Sequence, residues 1–409
     1  MRNRIALIPV FLFLLLPLNS AQVKKEYTLP EIIALGLEKN PRILAKIQEV
    51  ESKKAAYEAS RLFLNPELEY EKGQGKSAET QEKINTGALS LSQTIENPFK
   101  RKHRIRMTEK DWKASQHALD YKKLEITYEI KNLFFAVLLQ EKLVEIASKN
   151  LESIKKTQLI EKRVALGESK ELESIKLKVE VLKAQNELKR RETALKLARD
   201  NLNKFLGKVL PPDFSLSGKL GYKALTIDEQ SLIERASAIH PLLKMNREEM
   251  EGLQSNIQFI KWQRIPDPEL KAFIENEIDG KNKGVGISIE VPIWNLRTKE
   301  IAEAEGLFLK KKQELKALEL ELETEVKSGF KQLRLAEQKI DLFHSGLLDQ
   351  ASESLKLARI SYEQGEISLM DFLDSQRTYN DVIKDYYQAL YEWNSYKASL
   401  EKSTGVEIK

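Results

Sequence analysis

Between Pro98 and Pro211 the chain contains no proline, and glycine occurs there only at 167 and 207. Proline removes a backbone donor and clashes with the preceding turn, so a stretch this long without it is free to run as helix. A helix from about Phe99 to about Arg163 would extend roughly 100 Å at about 1.5 Å per residue. Returning from Gly167, Val181, Leu188, Leu195 and Leu202 recur every seven residues, with Ala184, Ala198 and Phe205 three places further on. Phe308, Leu315 and Leu322 repeat that interval later in the chain. A sustained heptad on charged helices is a coiled-coil seam. Helices of this length cannot wrap one globular core and must pack lengthwise, as a tube or bundle.

The plan is written twice. Asn40-Pro41 answers His240-Pro241, and Asn65-Pro66-Glu67-Leu68 answers Asp267-Pro268-Glu269-Leu270. Leu89-Ser90-Leu91 answers Ile287-Ser288-Ile289, while Gly167 and Gly207 each recur 198 residues on, as Gly365 and Gly405. An offset near 200 held across five landmarks marks an internal duplication. The repeats are expected at 23–210 and 225–409, joined by a linker at 211–224 that opens on Pro211-Pro212. Each repeat reads as helix, two short strands, then a long helical hairpin, at 98–207 and 294–405.

The strands are expected at about 66–72, 86–96, 268–278 and 284–293. Val285, Ile287, Ile289, Val291 and Ile293 alternate with Gly286, Ser288, Glu290 and Pro292. Leu68 and Tyr70 alternate with three glutamates, and Leu89 and Leu91 with small polar residues. A loop is expected from Lys72 to Thr86, and a turn at Gly280 to Gly284. Such alternation fits a soluble hairpin or a strand of a membrane barrel, apolar outside and polar inside. Four strands cannot close a barrel, and an open edge in lipid leaves unpaired backbone groups costing several kcal/mol each. Several copies must therefore share one barrel. Phe99, Trp262 and Trp294 flank the strands, either as an interfacial aromatic belt or as core packing.

The first residues read as a leader. Arg2 and Arg4 precede an apolar run, Ile5 to Leu18, too short to cross a bilayer and interrupted by Pro9 and Pro17. A cleaved signal peptide at 1–22 is expected. Net charge is +5 with both signs interleaved, and there is no cysteine, which removes disulfides and thiolate chemistry. The dense basic run Lys100 to Arg106 could meet nucleic acid or form a collar beside the strands; in a secreted chain the collar is favoured and no nucleic-acid partner is expected. No phosphate-binding loop is present, Lys281-Asn282-Lys283-Gly284-Val285-Gly286 lacks strand-to-helix context, and the four histidines are scattered. No enzymatic activity, cofactor or metal site is expected.

The duplication and the segment Ser361 to Gln376, with Tyr362, Gly365, Asp371 and Asp374 in a Tyr-x-x-Gly…Asp-x-Leu-Asp pattern, resemble the TolC family of outer-membrane efflux proteins. The pattern returns, degraded, as Val164-Ala165-Leu166-Gly167 followed by Glu173 to Lys176. The resemblance implies a mainly α protein with membrane β: a trimer with a 12-stranded barrel on a 12-helix periplasmic tube, in the outer membrane of a diderm cell. It implies a passive exit duct for an inner-membrane pump, most readily of the resistance-nodulation-division (RND) type, joined through a periplasmic adaptor. Length and the lack of a lipid-bearing cysteine resemble the heavy-metal members of the family. A duct for type I protein secretion, or a secreted coiled-coil scaffold, are the alternatives.

The resemblance also assigns residues. Asp371 and Asp374, one helical turn apart, match acids that ring the narrow periplasmic mouth. Tyr362 matches a gate tyrosine, and Gly365, Gly167 and Glu173 complete the gate set. Val164, Leu166, Glu366 and Leu369 are the expected adaptor contacts at the tip. One departure stands out: Ile367 occupies the place of a basic residue in the family pattern, so closure is expected to rest on packing or on other pairs. Lys176 stands where Asp374 would recur in the first repeat.

Overall fold

The computed structural model describes residues 26–77, 79, 82–164 and 168–408, with side chains outside 158–164 and 168–170. The leader expected at 1–22 lies outside the described residues. The first repeat runs β1 (Glu26–Thr28), α1 (Leu29–Lys39), α2 (Pro41–Ser60), β2 (Glu67–Lys76), β3 (Lys83–Thr94), α3 (Pro98–Val164) and α4 (Glu168–Phe205). After β4 (Ser215–Ser217), the second repeat runs α5 (Glu229–Ile239), α6 (Pro241–Trp262), β5 (Glu269–Glu277), β6 (Gly280–Ser288), α7 (Thr298–Leu342), α8 (Leu348–Glu363) and α9 (Leu369–Thr404).

The two X-Pro landmarks have one structural job. Asn40 and His240, each 2% exposed, break one helix and cap the next. Proline at the first helical position needs no donor and suits the start. Asn40 Oδ1 accepts from the Arg42 amide at 2.9 Å, and its Nδ2 donates to the Phe205 carbonyl at 2.8 Å, at the end of α4. His240 repeats this: Nδ1 accepts from the Leu242 amide at 3.3 Å, and Nε2 meets the Lys402 carbonyl at 3.2 Å, near the end of α9. Because a carbonyl only accepts, Nε2 carries the hydrogen and Nδ1 must stay bare. Gly207 and Gly405, both at positive φ, let the long helices end against these caps.

Burial lowers the His240 pKa. The neutral ring therefore stabilises the fold above the unfolded-state value near 6.5, and that contribution is lost as pH falls through the lower folded-state value. His240→Asn, copying the first repeat, is expected to keep the cap and lose less melting temperature between pH about 7.5 and about 5 than the parent. His240→Ala is expected to cost about 1 kcal/mol of stability at neutral pH. Equal acid sensitivity in the parent and the asparagine variant would refute the assignment.

The linker is part of the core. β4 pairs in parallel with β1, Tyr27 opposite Leu216, and Phe214, Leu216, Leu220 and Leu225 are all buried. They join Ile126, Ile130, Phe134, Leu202, Leu206, Leu333 and Leu400 in one cluster that binds the two repeats together. The heptad seam persists along α7, where Ile301, Leu315, Leu322, Gly329 and Ala336 are buried at multiples of seven. It stops at a five-residue π turn, Phe343–Leu347, with Gly346 at φ 123°. The second long hairpin is thus kinked between α7 and α8, and it starts at Thr298 rather than 294. No proline announced the kink; one glycine outside the left-handed range of other residues permits it.

The four long strands form one antiparallel sheet in the order β2-β3-β5-β6, so β3 of the first repeat pairs with β5 of the second. Strand limits differ from the sequence reading. β2 and β3 extend to Lys76 and from Lys83, shortening the expected 72–86 loop; alternation fades there because both faces turn polar, yet the ladder continues. The second turn is Ile278-Asp279, ahead of Gly280, rather than the glycine-rich 280–284 segment. β6 ends at Ser288, opposite Glu269, because β5 begins there, after Pro268. Ile289, Val291 and Ile293 keep the apolar period without a partner strand among the described residues.

Candidate functional site

Register sorts the sheet into two unlike faces. Leu68 opposes Leu91, Leu91 opposes Ala272, and Ala272 opposes Val285; Tyr70, Leu89 and Ile274 form the next row. This face is bare: Leu68 is 69%, Tyr70 70%, Ile287 71% and Val285 87% exposed. On the opposite face lie Glu67, Glu69, Glu71, Glu269, Glu275 and Glu277, with Lys271 as the one basic side chain among the paired strand residues. Lys271 and Ser90 reach Glu69 at 3.1 and 3.2 Å. Phe273 lies over Gly284, where a Cβ would come within 2.8 Å of its ring. The outer edges of β2 and β6 have no partner strand among the described residues.

Beneath the sheet, four residues of the basic run are engaged within the chain. Lys100 pairs with Asp267, and Arg104 grips Glu96 through two bonds of 2.7 and 2.9 Å. Arg101 stacks over Phe63 at 4.4 Å, and Arg106 lies 3.7 Å from Glu251. These contacts tie the strand ends and α6 to the start of α3. Phe99 and Trp262 stack on each other at 4.5 Å, whereas Trp294 is 96% exposed.

The opposite end carries the residues expected at the gate. Gly365 ends α8 with φ 79°, and the amides of Gly365 and Glu366 donate to the carbonyls of Tyr362 and Ser361 at 3.1 and 2.8 Å. Ser368 then caps α9. The Asp371 carboxylate accepts from the Ser368 amide and hydroxyl at 3.2 and 2.7 Å, while the Asp371 amide donates to Ser368 Oγ at 3.3 Å. Asp371 is thus a capping-box acid whatever else it does. Asp374 is held by Arg377 at 2.9 Å on the exposed face. Tyr362 stacks on Phe372, ring centres 5.4 Å apart.

Those rings belong to a second apolar cluster, separate from the main core. Leu151, Ile154, Leu177, Val181 and Ala184 from α3 and α4 meet Leu369, Phe372 and Leu373 from α9, with Tyr362 and Ile367 packed against them. It joins the two helical hairpins near their tips. Ile367, where the family pattern is basic, is one of its covering side chains. Leu369, expected among the adaptor contacts, is 1% exposed and lies inside the cluster, and its neighbour Met370, 40% exposed, faces outward. The first helical residue after a cap points back over the turn and here falls on the seam. Glu366 is exposed and accepts from Ser361 Oγ at 2.9 Å; Glu173 is half-buried on α4. Gly167 and Leu166 lie outside the described residues, as does the Val164 side chain.

Three residues went unforeseen. Asn150 Oδ1 on α3 accepts from Gln376 Nε2 and Asn380 Nδ2 of α9, each at 2.7 Å. The signal was present: Leu369, Gln376, Ile383 and Leu390 are seven apart, with one amide among apolar residues. A buried polar residue at such a position fixes helix register.

The sheet therefore sets a bare apolar face, and two edges without a partner strand among the described residues, on paired helical hairpins. The model of the "Outer membrane efflux protein" family matches residues 32–208 and 212–406, one match per repeat, and the chain belongs to that family. It is 23% identical over 385 residues to the cobalt-zinc-cadmium resistance protein CzcC of Cupriavidus metallidurans, covering 92% of this chain and 91% of that protein. Its fold is that of the open-state MtrE outer membrane channel of Neisseria gonorrhoeae, with TM-score 0.79, 14% identity, and 93% and 89% of the two chains covered. CusC superimposes with TM-score 0.77 at 16% identity, over 92% of each chain. Both comparisons show a shared fold along almost the whole chain.

Proposed function

We propose that three copies close their sheets into a 12-stranded barrel in the outer membrane, continuous with a 12-helix periplasmic tube. The assembly is a passive exit duct docked through an adaptor to an inner-membrane pump of the RND type. The observation that carries this reading is the sheet: its apolar face is exposed and both its edges are open, which lipid and sister copies together would satisfy. In that closure the glutamate-rich face lines the lumen, favouring cations on the axis. With the name of the CzcC relative, this supports divalent metal cations as cargo.

Asp371 and Asp374 are proposed to form the acidic ring of the periplasmic mouth, and the exposed Glu366 and Met370 to face the adaptor. The test is conductance of the purified chain in planar bilayers. The parent is expected to open cation-preferring pores that multivalent cations block from the periplasmic side. Asp371→Asn with Asp374→Asn, which keeps a capping oxygen, is expected to weaken the block about tenfold or more, the scale of about 1.4 kcal/mol per decade. Unchanged block would remove the ring; no pore at all would remove the duct.

A further inference from the structure

The bare face of the sheet changes character along the strands. The row Tyr70, Leu89 and Ile274 ends on Lys283; the next row of the same face carries Lys72 and Lys281, and the last pair of that face is Lys76 opposite Lys83. Same-face neighbours along a strand are about 7 Å apart, so the five lysines occupy a band about 20 Å deep that starts at the edge of the last apolar row and runs to the hairpin ends. All five are exposed, and none forms an ion pair among the described residues. Lys271, on the other face, has Glu69 at 3.1 Å. The glutamates of the sheet all point the other way, so nothing acidic on this face offsets the band.

We infer that this lysine band binds the phosphate groups of anionic lipid headgroups in the outer leaflet. The inference rests on the membrane reading above, which places the apolar rows in the hydrocarbon and the hairpin turns outside. A lysine stem lies along apolar surface while its ammonium reaches the headgroup level, and desolvated phosphate is its natural counter-ion there. Closure into a barrel sets the β6 edge of one copy beside the β2 edge of the next. Lys281 and Lys283 then join Lys72 and Lys76 at each of the three seams, where a lipid bearing two phosphates would bridge copies.

The test compares the full mature chain with a variant in which Lys72, Lys76, Lys83, Lys281 and Lys283 become glutamine, and another in which they become arginine. Each is purified in neutral detergent and titrated with diphosphoryl lipid A, or with the same lipid lacking both phosphates, under native mass spectrometry. The parent is expected to prefer the phosphorylated lipid at least about tenfold, a modest share of the effect of five lysines at an anionic surface. The glutamine variant is expected to lose that preference and the arginine variant to keep it. Equal preference in the glutamine variant, no preference in the parent, or displacement by inorganic phosphate alone would each overturn the inference. Flotation with neutral phosphatidylcholine vesicles separates the two levels: if neither parent nor variant floats, the membrane reading itself has failed.

Discussion

Phe372→Ala is expected to release the tip of the helical tube while leaving its body intact. The ring is 1% exposed, stacked on Tyr362 and enclosed by Leu177, Val181 and Leu373. Truncating a buried phenylalanine typically costs about 3–5 kcal/mol, through lost transfer free energy and the cavity left behind. Because this cluster is separate from the one holding α1, α3, α7 and α9 together, the loss falls on local opening rather than global unfolding. Amide exchange should accelerate over the start of α9 and the facing part of α4, with Ile130 and Leu333 still protected. In bilayers the variant should spend more time open than the parent, while Phe372→Leu stays near the parent. Unaltered exchange at the α9 start would show that the cluster does not hold the tip.

Leu89→Arg carries the second large effect. Leu89 lies mid-sheet on the bare face, between Tyr70 and Ile274. In the proposed trimer, an arginine on the lipid face near the midplane costs about 2–4 kcal/mol, hence about 6–12 kcal/mol for three copies. Heat-resistant oligomer in outer-membrane fractions should fall to a trace. Asn282→Arg, on the opposite face of the same sheet, should leave assembly unaffected. Equal tolerance of both substitutions would contradict the assignment of faces.

Much of this was legible in the residues. The absence of proline from 99 to 210 predicts α3 and α4, and the offset of 198 between glycines predicts two matching repeats. Alternation located all four strands and their apolar face, because a side chain's face depends only on its parity. It misplaced their ends, because a ladder persists wherever backbone groups pair, whatever the side chains. The acids of the tip were visible as a pattern. That Asp371 caps α9, that Asp374 is held by Arg377, and that Leu369 is buried were not, since each depends on which way one helical turn faces.

By itself, then, the sequence determined the elements and their apolar faces, since heptads, alternation and breakers are local and act through backbone stereochemistry. Tertiary structure alone decided that β3 pairs with β5 across the duplication, that the linker joins the core, and that Asn150 meets Gln376. Those are contacts between residues far apart in the chain. Their choice depends on how whole faces fit together, and no single segment carries that information.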